Sequence, residues 1–200
     1  YDTFTGFKFL AEKKDKLEGA GEGKVVFSYE ESYGYMLGDF VRDKDAVTAS
    51  LALTEMAAYY ASKGMTVLDA LNALYEKHGY YGEKTHNLVM PGLDGLKDMA
   101  KLMASLRQTP PREIAGVTVR QFKDYQDGSV VDCATGEASA MELSGSNVLR
   151  FELADGTSII VRPSGTEPKI KVYVLTKGKD AAERDANLAK YASWVAELKP

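Results

Sequence analysis

The sequence predicts an α/β unit followed by a two-layer α+β unit, with an antiparallel sheet and flanking helices. Two patterns carry this reading. The first third combines a short apolar run with two stretches of helical period, and the remainder places a helix near each end of a run of short strand-like segments. A third observation supports antiparallel pairing. Residues 148–153 and 157–161 both read as strands and are joined only by Ala154-Asp155-Gly156, a strong hairpin signal.

Taken in order, Lys24-Val-Val-Phe-Ser28 is an apolar run suited to a buried strand. A polar, glycine-containing loop covers residues 29–43. Asp43 or Asp45 can cap the helix that follows, in which Val47, Leu51, Thr54, Ala58 and Ala61 recur at helical spacing until Gly64. Thr66 caps a second helix, with Asp69 three positions on in a near capping-box arrangement. Val67, Leu68, Leu71, Leu74 and Tyr75 give that helix an apolar face, and Gly79 stops it. Residues 80–86 read as a linker, so the chain divides into residues 1–84 and residues 85–200.

The second part opens with a strand at 86–90. Leu93, Leu96, Met99, Ala100, Met103 and Leu106 form an amphipathic helix, which Pro110-Pro111 prevents from continuing. Residues 116–120 read as a strand that can run on to Tyr125, and residues 127–147 are rich in turn signals. After the hairpin come a strand at 170–175 and a closing helix over residues 180–198, with Leu188, Ala192, Val195 and Leu198 on one side.

Composition narrows the classes of function. The chain has 200 residues, 44% hydrophobic and 27% charged, enough apolar material for a core. Its net charge is −4 and its lysines and arginines are scattered, which speaks against a general nucleic-acid binder. No apolar stretch is long enough to span a membrane, and no signal-peptide pattern opens the chain. The single cysteine, Cys133, rules out an intrachain disulfide and lies between Asp132 and Ala134, which offer no thiolate-stabilising cation; a structural or surface thiol in a reducing, cytoplasmic setting is expected. His78 and His86 lack spaced partners, so no metal site is expected within the chain. The chain begins at Tyr1 without a methionine, which reads either as a cut inside a longer protein or as a trimmed or processed terminus.

Four loops carry candidate chemistry. Arg162-Pro-Ser-Gly-Thr-Glu-Pro168 lies between two strands and suits a phosphate. Arginine offers a planar fork of donors, the Ser164 and Thr166 hydroxyls donate to phosphate oxygens, and Gly165 lets backbone amides approach an anion. Lys171, on the next strand, can reach the same anion. The alternative is a tight hairpin loop with an incidental arginine. In Tyr29-Glu-Glu-Ser-Tyr-Gly-Tyr35, carboxylates and a hydroxyl at a strand end can share hydrogen bonds with sugar hydroxyls; a solvated acidic loop is the alternative. In Val41-Arg-Asp-Lys-Asp45, Arg42 and Lys44 can face a phosphate while the aspartates cap the helix; a plain helix start in solvent is the alternative. In Thr5-Gly-Phe-Lys8, Lys8 beside the Thr-Gly turn can touch a ligand or serve only as a surface charge.

These four loops, in this order, resemble those of the α-D-phosphohexomutase family (phosphoglucomutase/phosphomannomutase), and bacterial phosphoglucomutases most of all. The resemblance covers nearly the whole chain. It implies the end of that family's sugar-binding third domain over residues 1–84 and its C-terminal phosphate-binding domain over residues 85–200. Carried over by motif, it implies that Glu30 and Ser32 hold sugar hydroxyls. Arg162, Ser164, Gly165 and Thr166 would grip the phosphate not being transferred. Lys171 stands where the family has a basic residue, often arginine. Lys44 becomes a candidate acid/base or electrostatic helper, with Arg42, Thr5 and Lys8 as minor contacts.

The reaction implied is a reversible phosphoryl shift between hexose 1-phosphate and hexose 6-phosphate, through a phosphoserine and a sugar bisphosphate, with magnesium. The chain contains neither a Thr-Ser-His-Asn-Pro-like serine loop nor an Asp-Gly-Asp-x-Asp-Arg metal loop. The resemblance assigns the serine and the Mg2+ to N-terminal domains of the same protein, so this stretch alone is expected to be inactive. The partners expected are a phosphosugar and those N-terminal domains, with no nucleic acid and no membrane. A phosphopentomutase of the same superfamily, a non-catalytic phosphosugar-binding module and a purely structural α+β domain are the rival readings.

Overall fold

A computed structural model describes residues 1–38, 40–92, 94–165 and 167–198. The chain divides into two compact units, Tyr1–Leu74 and Tyr75–Pro200.

The first unit opens with α1 (Phe7–Gly19), whose buried residues Phe7, Ala11, Lys14 and Leu17 form one stripe at helical spacing. The sequence reading quoted only the Thr5–Lys8 loop here and assigned no helix; a lysine occupies the stripe and breaks its apolar period. Lys14 reconciles burial with charge through Glu18, one turn on, at 2.6 Å. Glu18 also accepts from the Val25 N–H at 3.0 Å, tying the helix to the chain that enters the next strand.

That strand, β1 (Phe27–Tyr29), pairs antiparallel with β2 (Tyr35–Leu37), with Ser28 opposite Met36. Ser28 and Met36 are buried, whereas Phe27 stacks between Tyr29 and Tyr35 on the other side. The expected buried strand is therefore a short ribbon, with Val26 74% and Phe27 48% exposed. The reason is topological: β2 is its sole strand partner among the described residues.

Helix α2 (Ala46–Ala61) starts at Asp45, whose carboxylate accepts from the N–H groups of Val47 at 3.1 Å and Thr48 at 3.2 Å. This decides between the two caps that the sequence allowed. Past the helix end, Gly64 takes φ 71°, a left-handed turn that glycine adopts without penalty. Helix α3 (Val67–His78) begins with the reciprocal box read from sequence, since the Asp69 N–H donates to Thr66 Oγ1 and the Thr66 N–H to Asp69 Oδ2. Both helices leave apolar side chains uncovered: Val47 is 78%, Leu51 60% and Leu68 64% exposed.

The second unit is built on an antiparallel sheet. Its strands are β3 (Tyr80–Val89), β4 (Glu113–Ile114), β5 (Val117–Asp124), β6 (Ser129–Asp132), β7 (Ala138–Ala140), β8 (Leu149–Leu153), β9 (Ser158–Pro163) and β10 (Lys169–Gly178). The spatial order is β3-β10-β9-β8-β5-β6-β7, with β4 paired to β5. Helices α4 (Gly95–Gln108) and α5 (Ala181–Glu197) supply the second layer. Along β10, Ile170, Val172, Val174 and Thr176 are buried, and the alternate residues Lys171, Tyr173 and Leu175 point to the opposite face. The core joins Ile170, Val172 and Val174 to Met99, Leu102, Met103 and Leu106 of α4 and to Tyr191 and Val195 of α5.

Three details differ from the sequence reading. Residues 80–86, read as a linker, are the first part of β3, which pairs with β10 along its whole length. An edge strand is half exposed and needs no strong apolar alternation, so its polar composition hid it. The turn-rich stretch contains β6 and β7, whose few residues lie below the length at which alternation is readable. Leu96, assigned to the apolar face of α4, is exposed, whereas Met99, Leu102, Met103 and Leu106 form the buried stripe; Leu93 lies outside the described residues.

Candidate functional site

The phosphate-suited loop joins β9 to β10 at the end of the sheet. Backbone bonds fix its base: the Ser164 N–H donates to the Lys169 carbonyl and the Lys169 N–H to the Glu167 carbonyl, each at 2.8 Å. The Met90 N–H binds the Pro168 carbonyl at 2.8 Å, so β3 also anchors the loop. The Ser164 hydroxyl accepts from the Glu167 N–H at 3.3 Å. At Gly165 a Cβ would meet nothing within 4 Å, so the loop's crest is open. Thr166 lies outside the described residues.

Strand register places Arg162 directly opposite Lys171. Two like charges at facing positions repel each other across the ladder. Lys169, by contrast, is paired with Glu167 at 2.8 Å. No ion pair joins Arg162 or Lys171 to a carboxylate among the described residues. Arg162 donates from Nη2 to the Tyr173 hydroxyl at 3.0 Å, and its guanidinium lies 5.9 Å from that ring's centre. Its Nε is buried without a hydrogen-bond partner among the described residues. A half-buried guanidinium, a facing lysine and an open glycine crest form a cationic seat that lacks its counter-charge.

In the first unit, Phe7 links three of the sequence-selected segments. Its buried ring would lie 2.7 Å from a Cβ at Gly34, and the Lys44 side chain closes the same space at 3.2 Å. The Lys44 ammonium sits 5.3 Å from the Phe7 ring centre, within reach of its negative face. The acidic loop is closed by the Glu30 N–H bonding to the Gly34 carbonyl at 2.9 Å, and the Asp45 N–H binds the Tyr35 carbonyl at 3.0 Å. Glycine at 34 is thus dictated by Phe7, a contact that the sequence reading did not identify.

Thr5, Glu30 and Glu31 line one cavity of about 310 Å³, together with Lys13, Ser28 and Tyr29. Glu30 is half-buried, whereas Glu31 and Ser32 are exposed. Lys44 also contacts Asp43, whose carboxyl is held below its usual range chiefly by the Lys44 backbone N–H. Arg42 is ion-paired with Asp15, whose carboxyl is lowered by that hydrogen bond. Lys8 is exposed, its ammonium 4.8 Å from the Phe9 ring centre. Thr5 and Glu30 therefore share a cavity and Lys44 adjoins the acidic loop, but neither Lys8 nor Arg42 lines that cavity. Cys133 is partly buried, and burial followed by the Asp132 charge pushes its thiol up, against a nucleophilic role.

Residues 1–78 match the family described as "Phosphoglucomutase/phosphomannomutase, alpha/beta/alpha domain III", and residues 87–188 match its "C-terminal domain". The chain belongs to the phosphoglucomutase/phosphomannomutase family. A phosphoglucomutase from Staphylococcus aureus strain N315 is 37% identical over 179 residues, covering 90% of this chain and 32% of that protein. The corresponding enzyme of strain MRSA252 is 36% identical over the same length. The chain thus spans 32% of the length of these relatives. The exocytosis-sensitive phosphoprotein pp63/parafusin (a phosphoglucomutase) from Paramecium, in its open form, shares the fold, with a TM-score of 0.56 and 20% identity over 98% of this chain and 34% of that one. Within the family, the antiparallel sheet and its helices are the C-terminal domain, and the acidic loop lies in the part matched to domain III.

Proposed function

We propose that this chain is the substrate-gripping portion of a phosphohexomutase that interconverts hexose 1-phosphate and hexose 6-phosphate. The observation that carries this reading is the uncompensated pair Arg162 and Lys171 beside the open Ser164-Gly165 crest. A phosphate dianion supplies the charge that the pair lacks, and arginine's fork takes two of its oxygens. Ser164 donates its hydroxyl, and Thr166 belongs to the same loop. The division at residue 84, with sugar recognition before it and phosphate recognition after it, is part of this reading.

Glu30 and Ser32 hold sugar hydroxyls, the half-buried carboxylate of Glu30 accepting while Ser32 both donates and accepts. Lys44, held beside the acidic loop by Phe7, offsets negative charge as a phosphoryl group moves. Arg42, Thr5 and Lys8 contribute at the margin. The family chemistry moves a phosphoryl group from a serine outside this stretch to a sugar oxygen: the serine O–P bond breaks and the sugar O–P bond forms. This chain's residues contribute positioning and charge neutralisation, which dominate such transfers. The Mg2+ belongs, on the family reading, to the N-terminal domains. A sugar bisphosphate primes the cycle, and the enzyme works in the cytoplasm.

The test is a mutase assay on this 200-residue chain and on the full reading frame that contains it. Glucose 1-phosphate, mannose 1-phosphate and ribose 1-phosphate are supplied in turn, with magnesium and a trace of sugar bisphosphate. Hexose turnover by the longer protein alone is expected. Preference for ribose 1-phosphate would move the reading to a phosphopentomutase, and activity in neither would leave a phosphate-binding module.

A further inference from the structure

Arg162 and Lys171 face each other on neighbouring strands, on the side of the sheet away from the core. An arginine beside a like charge gains by swinging its head group into water, where screening is strong and its long stem is free to move. Arg162 does not do so: it is half-buried, and its Nε is buried.

Tyr173 accounts for this. It stands two residues past Lys171 on β10, opposite Ile160, and so lies diagonally across the ladder from Arg162 on the same face. Diagonal neighbours are within reach of an aromatic ring and a long side chain. The Tyr173 hydroxyl accepts from Arg162 Nη2 at 3.0 Å, and the guanidinium carbon lies 5.9 Å from the ring centre. Val172 and Val174, on either side of Tyr173, are fully buried in the core, so the backbone fixes where the hydroxyl stands. The chemistry of this tether is selective. A carboxylate in the same place would hold the guanidinium but would also cancel its charge, whereas a phenol accepts a hydrogen bond and leaves the charge intact. Nε and Nη1 form no hydrogen bond among the described residues.

We propose that Tyr173 is a positioning residue for the phosphate grip: its hydroxyl holds the Arg162 guanidinium beside Lys171, against their mutual repulsion, and leaves the remaining N–H groups to the anion. The proposal rests on the phosphohexomutase reading of the loop. Tyr173 acts through Arg162 and needs no contact of its own with substrate. A guanidinium that is already held loses less freedom when it closes on two phosphate oxygens.

The experiment is a double-mutant cycle in the full-length protein: Tyr173→Phe, Arg162→Ala and the two together, with steady-state kinetics on glucose 1-phosphate and a thermal midpoint for each. Tyr173→Phe removes the hydroxyl and keeps the ring. Expected is a roughly 3- to 10-fold rise in KM, a smaller change in kcat and a midpoint near wild type. In the Arg162→Ala background the same substitution should change kcat/KM by less than about twofold, because the group it acts through is gone. An unchanged KM in Tyr173→Phe overturns the proposal, whether or not the midpoint falls. An equal fold-change in both backgrounds also overturns it, since the tyrosine would then act independently of the arginine. Arg162→Ala alone separates the two levels: if it leaves kcat/KM intact, the phosphohexomutase reading of the loop falls and the positioning role falls with it.

Discussion

Replacing Arg162 by alanine should affect ligand binding and folding differently. In the ligand-free chain the guanidinium faces Lys171 and keeps a buried Nε without a partner. Deleting it removes a desolvated donor costing about 1–3 kcal/mol. Against that, the hydrogen bond to Tyr173 is lost, worth about 1 kcal/mol. The packing of the arginine stem is also lost. These effects roughly cancel, so the unfolding midpoint should stay near wild type. Phosphate binding has no such compensation: a charge-assisted bidentate contact removed costs about 2–4 kcal/mol, or roughly 30- to 700-fold in affinity. The assay is calorimetric titration of glucose 6-phosphate, paired with urea unfolding of the same samples and turnover in the full-length enzyme. Affinity and turnover close to wild type would refute the phosphate-loop assignment. A large loss of stability with little loss of affinity would show that Arg162 is structural.

Three further outcomes follow from the geometry. Gly34→Ala places a Cβ 2.7 Å from the buried Phe7 ring, which cannot swing aside as Lys44 can; urea unfolding should show a loss of about 1–3 kcal/mol, with weakened sugar-phosphate binding. In the second unit, burial raises the Asp155 carboxyl, but hydrogen bonds from Tyr191 and Thr157 outweigh it and the net shift is below the usual 3.8. Tyr191 is pushed above the usual 10.0 first by burial and then by Asp155. Asp155 thus stabilises the fold fully above its unfolded value, with loss as pH falls through its lower folded value, whereas Tyr191 does so below 10.0, with loss as pH rises beyond it. Guanidinium midpoints measured across pH should fall at both extremes, and Tyr191→Phe should make both the alkaline and the acid limb shallower than in wild type. Limited proteolysis should cut first within residues 1–74, whose β1–β2 ribbon and α2 lack a closed core, and should leave a resistant fragment from about residue 75; equal cleavage in both units would contradict this.

Legibility in the sequence followed how much of each element's information is local. The caps at Asp45 and Thr66, the 154–156 turn and the stripe of α4 depend on neighbouring residues, and the structure contains them. Helix α1 was hidden by Lys14, because its burial is permitted by a partner one turn away rather than by its own chemistry. The first part of β3 was hidden, although its end was read as a strand, because its regularity is imposed by β10, a partner some ninety residues downstream. The same distinction applies to the site. Residue types identified the phosphate-suited loop, but the facing of Arg162 and Lys171 exists only in strand register. The role of Phe7 in fixing Gly34 depends on contact between segments far apart in sequence.

The two candidate binding loops differ in how firmly their surroundings hold them. The phosphate-suited loop closes a hairpin inside a multistranded sheet with a continuous core, is tied by backbone bonds on both sides and is anchored by β3 as well. Its donors are therefore pre-positioned, and little ordering cost opposes anion binding. The acidic loop crosses a two-stranded ribbon, a structure that is marginal unless another layer covers it. Phe7 and the Glu30–Gly34 backbone bond hold its base, while Ser32 and Tyr33 remain exposed. Phosphate affinity should consequently survive in the 200-residue chain, whereas discrimination between sugars should depend on how completely the first unit is covered. Titrating inorganic phosphate, glucose 6-phosphate and mannose 6-phosphate against both the 200-residue chain and the full-length protein separates these contributions. The division of labour predicts similar phosphate affinities in the two and sugar selectivity only in the longer one; equal selectivity in both would show that Phe7 and the ribbon suffice to order the acidic loop.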